Sequence, residues 1–321
     1  MVNHYRIVYP DADDTTEADF GKRNLDKLKA LGSFTLYPGE PSSVAEFIQR
    51  VGDAHAVILG WSIPDEVLVA AEHLQLISFT GIGASKFVNL ELARQQGIIV
   101  CNCPGYGDQT VAEHALALTL GLTKNLSGHD QKLRQGIWDQ SLMSFDIAGS
   151  TVGIIGFGGI GQQFAQICHG LGAKVLVWTR NPDQYAIAEL PYRFIQLDQL
   201  LESADIVSVH IAHNRQTEHF LDSEKLARLK KGAYLINTAR GEIVDESALC
   251  DLLHSGHLAG AGIDVFSIEP LEENNPLLST PNTLLTPHVG FSSPGASQRL
   301  LDIAVQNIAD FFSENPTNIV S

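Results

Sequence analysis

The segment TVGIIGFGGIGQQFAQ, residues 151–166, most constrains the fold, because a strand-like apolar run passes through a glycine-rich turn into a helical pattern. Gly156, Gly158 and Gly161 have GxGxxG spacing. The first glycine permits a tight turn, the second lets the backbone approach a phosphate, and the third allows close helix packing. Exposed amides and the helix dipole favour an anion there. The segment predicts a strand–turn–helix unit that binds a dinucleotide through Gly156, Gly158, Gly159, Ile160 and Gly161.

The next apolar run, KVLVWTRNP at residues 174–182, indicates which dinucleotide is bound. An acidic residue at the end of this strand would bind the adenosine ribose 2′-hydroxyl and repel a 2′-phosphate. Thr179 stands there instead, and Arg180 adds a fork of donors suited to phosphate. We therefore expect NADP(H) to be favoured over NAD(H). In the alternative, Arg180 points into solvent or stacks on the adenine, and NAD stays usable.

Short apolar runs alternate with helical patterns along the whole chain, in two series. This order predicts an α/β protein with two doubly wound parallel-sheet domains, Rossmann-like and flavodoxin-like, and a cleft between them. The last segment, SQRLLDIAVQNIADFF, has helical spacing and could return to the first domain. The predicted domains are residues 1–102 with 290–321, and residues 103–289 for the dinucleotide. Helical patterns are predicted at residues 24–31, 44–51, about 108–126 and 223–231, and Asp245 is predicted to cap another helix.

Composition narrows the partners. The formal charge of −16 repels nucleic acid and anionic lipid, and the sequence has no run of 18 apolar residues, so we expect neither nucleic acid nor membrane as a partner. The N-terminus lacks a secretory signal pattern, which predicts a cytoplasmic location. The cysteines lack paired metal-ligand spacing, so we expect no metal and read them as small buried thiols: Cys101, Cys103, Cys168 and Cys250.

Polar residues stand at or just beyond the ends of the later strands: His210, Arg240, Asp264, Glu269 and His288. Ligands of open α/β sheets bind beyond the carboxyl ends of the strands. A cation, carboxylates and a histidine at one rim make an acid/base site that can shuttle a proton. Taken singly, a strand-end histidine is more often a packing residue, and an arginine or glutamate more often part of a solvated rim.

Four strings carry a family resemblance: INTARGEIVDESAL, AGIDVFSIEP, TPHVG and the glycine loop. Together they resemble the D-2-hydroxyacid dehydrogenases, which include phosphoglycerate, glycerate and formate dehydrogenases and glyoxylate/hydroxypyruvate reductases. The resemblance covers nearly the whole chain and includes CNCPGYGDQTVAEHALAL, similar to the family's crossover helix.

The resemblance implies reversible reduction of a small 2-oxo acid to the D-2-hydroxy acid by hydride transfer from a nicotinamide cofactor. Arg240 would bind the substrate carboxylate and carbonyl, His288 would be the general acid, and Glu269 would hold His288. Ile82 and Gly83 would bind the same carboxylate through their amides, which makes the first domain the substrate domain. The residues implied at the cofactor are His210, Thr238, Asp264 and Gly290.

The resemblance also implies a homodimer that pairs through the cofactor domain. Substrate choice is expected to depend on Tyr9, Trp61 and Ile82, with Lys86 as the nearby cation for a phosphate-bearing substrate. The segment ASKFVNL and Ala212 depart from the family pattern. The chain ends at Ser321, so no appended regulatory domain is expected. Two alternatives stay open: a corepressor-like dinucleotide sensor, and a phosphoglycerate dehydrogenase-type enzyme.

Overall fold

The computed structural model describes residues 5–12, 16–185 and 191–321. The strands in these ranges are β1 (Tyr5–Ala12), β2 (Gly32–Pro38), β3 (Ala56–Leu59), β4 (Leu76–Phe79), β5 (Ile99–Cys101), β6 (Thr151–Ile155), β7 (Lys174–Trp178), β8 (Arg193–Phe194), β9 (Ile206–Val209), β10 (Tyr234–Asn237), β11 (Gly260–Ile263) and β12 (Thr283–Leu285). The α-helices are α1 (Thr16–Leu31), α2 (Val44–Val51), α3 (Asp65–Ala70), α4 (Leu90–Gln95), α5 (Asp108–Thr123), α6 (Leu126–Arg134), α7 (Gly159–Gly170), α8 (Leu197–Ser203), α9 (Ser223–Ala227), α10 (Glu246–His254) and α11 (Pro294–Phe312).

The chain divides into two compact units. The first comprises residues 1–107 and 293–321, and the second comprises residues 108–292. The sequence pattern placed the two boundaries at 102/103 and 289/290, a few residues earlier in each case. The late helix α11 belongs to the first unit, so that unit is discontinuous in sequence.

The first unit is a five-stranded parallel sheet of order β2-β1-β3-β4-β5, the flavodoxin-like arrangement. One face packs on a core with α2, α3 and α4, and the other packs on α1 and α11. Every residue of β3 and β4 is buried, because helices cover both faces of the sheet. This explains why the runs AVIL and LISF are continuously apolar rather than alternating.

The second unit is a seven-stranded parallel sheet of order β12-β11-β10-β9-β6-β7-β8. The six strands from β11 to β8 in this order have the Rossmann arrangement, and β12 is added at one edge. Helices α8, α9 and α10 cover one face, and α5 and α7 cover the other. The order in which strands are added to the sheet reverses at β6: β7 and β8 follow on one side, and β9 begins the other side. The crevice beyond the carboxyl ends of β6 and β9 is therefore the expected ligand position. The two predicted parallel α/β domains are confirmed.

Two helices end earlier than the apolar pattern indicates. The pattern from about 108 to 126 is one helix only to Thr123, because Asn125 takes a left-handed conformation (φ +49°) and α6 starts afresh at Leu126. Asparagine tolerates this conformation better than most residues. The helix expected over 223–231 ends at Ala227. Asp245 caps α10 as predicted, since its side chain accepts a bond from the Ala248 amide.

Within the described ranges, no helix combines the length and apolar character needed to span a bilayer. The same ranges hold no group of three or more His, Cys, Asp or Glu residues arranged for a metal ion. All four cysteines are buried and unpaired. Burial raises the pKa of Cys103 and of Cys168 to about 12, so both remain thiols at neutral pH.

Candidate active site

The glycine loop lies at the carboxyl end of β6 and leads into α7. Gly156 has φ +99°, and a Cβ there would lie 2.7 Å from the His210 carbonyl group. A Cβ on Gly161 would lie 2.2 Å from the Gly156 carbonyl oxygen, so only glycine allows α7 to begin this close to the strand. Ile160 lies between them and packs on the core beneath α7. The loop therefore has the geometry predicted from its spacing.

Two features at the carboxyl ends of the strands in the second sheet fit a dinucleotide. A Cβ on Gly158, the N-cap of α7, would meet no atom within 4 Å, so this side of the helix start is open to an approaching phosphate, while the Asp108 carboxylate lies against Gly159. Three buried polar atoms have no hydrogen-bond partner among the described residues: Nδ1 of His210, Nε2 of His213 and Oγ1 of Thr238. Thr238 directly follows β10 and His210 directly follows β9. Burial lowers the pKa of His210 to about 3, so its ring is neutral and can hydrogen-bond a polar ligand group.

The end of β7 borders a depression of about 380 Å³. Its lining residues are Val177, Trp178, Thr179, Arg180, Pro182, Phe194, Ile195 and Gln196. Arg180 is the one charged residue among these eight, and its Nη1 donates to Oε1 of Gln216 at 2.9 Å. Arg180 is thus held by a loop residue 36 positions later in the chain. Among the described residues, the lining offers a guanidinium and a hydroxyl and contains no carboxylate that would repel a phosphate.

His288 and Glu269 form a close ion pair, with 2.7 Å between Nδ1 and Oε2. The other carboxylate oxygen of Glu269 accepts a bond from the Phe266 amide at 2.9 Å. Burial raises the pKa of Glu269, but the bonds from His288 and Phe266 and the charges of His288 and Arg240 outweigh it, and the net pKa is lowered. Glu269 is therefore a carboxylate at neutral pH. It orients the His288 ring through the bond at Nδ1.

Arg240 lies in a turn directly beyond β10. The buried Asn237 holds this turn, because its side chain donates to the Arg240 carbonyl at 2.9 Å and accepts from the Ala239 amide at 3.0 Å. The next residue, Gly241, lies against the backbone of Phe266, where a Cβ would approach within 1.9 Å. This close contact joins the Arg240 turn to the loop that carries Glu269. The structure thus brings together Arg240, Glu269 and His288.

Asp264 directly follows β11, and its side chain is almost completely buried. Oδ1 accepts from the Thr286 hydroxyl at 2.6 Å and from the Val289 amide at 3.0 Å, while Oδ2 accepts from the Gly290 amide at 2.9 Å. Burial raises the pKa of Asp264, but these bonds and one from His114 outweigh it and lower the pKa. The carboxylate binds the turn that carries His288. Gly290 is required there because a Cβ would lie 2.8 Å from Oδ2.

Ile82 and Gly83 lie in the first unit, in the loop after β4. The Ile82 carbonyl accepts from the Asn102 side chain at 2.9 Å. The amides of both residues have no acceptor among the described residues, so they are available to an anion. Trp61 is exposed, and its amide donates to Asp11 at 2.7 Å, while Tyr9 is buried beside Gly60.

Three residues at these sites escaped the sequence analysis: Asp11, His114 and His213. Asp11 holds the loop of Trp61 with bonds from two amides, and burial raises the pKa of its carboxyl group. The position of Asp11 just beyond the first apolar run was the available signal. His114 belongs to the string VAEHALAL on α5, and its helical pattern gave no hint of the strand ends it contacts. His213 lies four residues past the end of β9.

The chain is similar to a known protein family, to several characterised enzymes and to solved structures. The family model described as "D-isomer specific 2-hydroxyacid dehydrogenase, NAD binding domain" matches residues 116–290. A hydroxypyruvate reductase of Blautia hydrogenotrophica is 35% identical over 309 residues, covering 92% of this chain and 94% of that protein. A glyoxylate reductase of Korarchaeum cryptofilum is 33% identical over 309 residues, covering 94% and 93%. The solved NADPH-dependent glyoxylate/hydroxypyruvate reductase of Sinorhizobium meliloti, in complex with NADP and malonate, is 28% identical with a TM-score of 0.81, covering 99% of this chain and 97% of that one.

Proposed function

Because the chain belongs to the D-isomer specific 2-hydroxyacid dehydrogenase family, we propose that it reduces a small 2-oxo acid with His288 as the proton donor. The reaction class is hydride transfer between a nicotinamide cofactor and a 2-oxo/2-hydroxy acid pair of D configuration. The observation that carries the assignment is the 2.7 Å pair of His288 and Glu269 in one unit with Arg240.

His288 is the general acid of the proposal. Its Nδ1–H is held by Glu269, which leaves Nε2 as the nitrogen that transfers the proton. When bound, the nicotinamide supplies the hydride that reaches the 2-carbon. His288 then donates its proton to the former carbonyl oxygen, and the carboxylate of Glu269 stabilises the imidazolium before transfer. In the reverse direction, the neutral ring accepts the hydroxyl proton.

Arg240 binds the substrate in this proposal. A guanidinium can pair with the substrate carboxylate and polarise the neighbouring carbonyl, which favours negative charge on the oxygen as hydride arrives. The amides of Ile82 and Gly83 remain predicted ligands of the same carboxylate. Cofactor contacts are proposed for the loop residues Gly156, Gly158, Gly159, Ile160 and Gly161, and for His210 and Thr238.

NADP(H) is the proposed preferred cofactor, with Thr179 and Arg180 at the 2′-phosphate. Support comes from the depression beyond β7, whose eight described lining residues include an arginine and no carboxylate. The similar Sinorhizobium meliloti protein is described as NADPH-dependent. Asp264 and Gly290 are also proposed to lie at the cofactor. The Gly290 amide donates to Oδ2 of Asp264, and this bond fixes the turn that would face the cofactor.

The first experiment measures enzyme turnover as the loss of absorbance at the reduced nicotinamide band. NADPH and NADH are each tested with glyoxylate, hydroxypyruvate, pyruvate and 3-phosphohydroxypyruvate. Turnover with wild type and a large loss of kcat in His288→Ala are expected. Near-normal turnover of that variant would contradict the role of His288. Preference for the phosphorylated substrate would favour the phosphoglycerate dehydrogenase-type alternative, and tight cofactor binding without turnover would favour the sensor.

The cofactor preference has its own test. Thr179→Asp places a carboxylate beside the proposed 2′-phosphate, so the kcat/KM ratio of NADPH to NADH should fall by about tenfold or more. Gln199→Glu on α8 is the matched control, because it adds one negative charge outside the eight lining residues. An unchanged ratio in Thr179→Asp would remove the argument for NADP(H).

We also propose that two copies of the chain form a homodimer through the second unit. The segment after α6 exposes apolar side chains, with Trp138 78% and Met143 91% accessible in the single chain. Such exposure is typical of surfaces that associate. Light scattering should give twice the monomer mass for wild type, and Trp138→Ser should shift the equilibrium towards monomer.

A further inference from the structure

His114 contacts the turn that carries His288 although it lies on a distant helix. It projects from α5, and only 20% of its side chain is exposed. Nε2 of His114 lies 3.0 Å from Oγ1 of Thr286 and 3.3 Å from Oδ1 of Asp264. A Cβ on Gly290 would lie 3.2 Å from Cδ2 of His114, so the ring also packs against the far side of the turn. The ring therefore touches both ends of the segment 286–290.

The hydrogen bonds have one consistent direction. The Thr286 hydroxyl donates to Asp264 at 2.6 Å, which leaves its oxygen to accept from Nε2–H of His114. The carboxylate of Asp264 then accepts the amides of Val289 and Gly290. The chain of bonds runs from α5 through Thr286 and Asp264 to the two residues that follow His288. All of its members belong to the second unit.

The backbone of His288 needs this support. Its φ is +51°, a left-handed conformation that residues with a side chain adopt only where the surroundings impose it. The His288 amide donates to the Asp264 carbonyl at 2.8 Å. Asp264 thus fixes His288 and both following amides, and the ring direction towards Glu269 depends on the conformation so fixed.

We propose that His114 is a positioning residue for His288, acting through Thr286 and Asp264. This rests on the proposed function in that His288 is taken as the proton donor. His114 touches neither Glu269 nor the nitrogen that transfers the proton. Its loss should therefore lower the rate of the chemical step while leaving substrate and cofactor binding nearly intact.

The test compares His114→Leu, which removes the donor, with His114→Gln, whose amide can reach Thr286 in place of Nε2. We expect His114→Leu to lower kcat by about tenfold, with KM and the cofactor Kd changed by less than about twofold, and His114→Gln to keep most of the activity. The matched control is Thr119→Val, which removes a buried hydroxyl bonded to the Ala115 carbonyl on the same helix. Equal losses in the leucine and glutamine variants, or full kcat in the leucine variant, would overturn the proposal.

A double-mutant cycle with Thr286→Val keeps the proposal falsifiable if the leucine variant folds poorly. Thr286→Val removes the hydroxyl that links His114 to Asp264, so it should lower kcat, and adding His114→Asn, whose side chain is too short to reach Thr286, should cost less than His114→Asn costs in wild type. Independent, additive losses would contradict a shared path.

The last measurement needs no turnover. With histidines labelled by ¹³C, the ring signal of His288 is assigned by its absence in His288→Asn. That signal should shift in His114→Leu and stay in place in Thr119→Val. A shift without wild-type turnover would support the positioning role while the proposed function fails, and an unmoved signal would overturn the positioning role alone.

Discussion

Replacing Glu269 by glutamine tests the proton donor most directly. The amide can keep the bond that Oε1 accepts from the Phe266 amide, so the loop is held as before. Its NH₂ group then faces Nδ1 of His288 and donates to it. In the proposed proton transfer the ring then faces a neutral amide instead of a carboxylate, and the charge-assisted bond is lost.

The size of the effect follows from the geometry. A hydrogen bond to a charged partner contributes about 1.5–3 kcal/mol when shielded from water. The pair is close, at 2.7 Å, but each side chain is 35% exposed, so solvent screening favours the lower end. A loss of about 1.5 kcal/mol corresponds to a factor of about ten in rate. Reduction by Glu269→Gln should therefore have a kcat about tenfold lower than that of wild type.

The assay is kcat for reduction at saturating cofactor and substrate, with the cofactor Kd measured in parallel. The cofactor Kd should stay within about twofold of wild type, because the substitution changes only the partner of the proposed proton donor. Glu246→Gln is the control, because Glu246 binds the same loop through Ser267 and Asn275 but lies outside the pair. Equal kcat values for wild type and Glu269→Gln, with both proteins equally stable, would refute the role of the carboxylate.

Three further outcomes are expected. Arg240→Ala should raise KM and lower kcat, by about a hundredfold together in steady-state assays, because it removes the proposed carboxylate clamp; an unchanged KM would refute that role. Gly161→Ala should weaken NADPH binding by about tenfold in fluorescence titration, since its Cβ would lie 2.2 Å from the Gly156 carbonyl oxygen and displace the loop. Asp264→Asn should lower the free energy of unfolding by about 1–3 kcal/mol at pH 7. Because the folded-state pKa of Asp264 is lowered, this difference should shrink as urea titrations are taken below about pH 4, and a difference independent of pH would contradict the pKa assignment.

The three proposed catalytic residues illustrate what could be predicted from the sequence. Arg240, Glu269 and His288 each follow an apolar strand, and parallel strands deliver such residues to one edge. Their direct pairing could not be read, because it depends on the left-handed backbone of His288 and on a carboxylate 24 residues earlier, Asp264, that holds it. Local periodicity carries no information about such a turn.

The parallel α/β order, the glycine loop and the polar strand ends could be predicted before the fold was known, because each follows from the local alternation of apolar, glycine and polar residues. Which distant side chains meet is visible only in the folded chain. Gln216 holds Arg180 and His114 reaches Thr286, pairs separated by 36 and 172 positions. These contacts depend on the order in which the strands pair in the sheet and on which helix covers which face. A pattern within one segment cannot specify a partner in another, because the partner is chosen by packing.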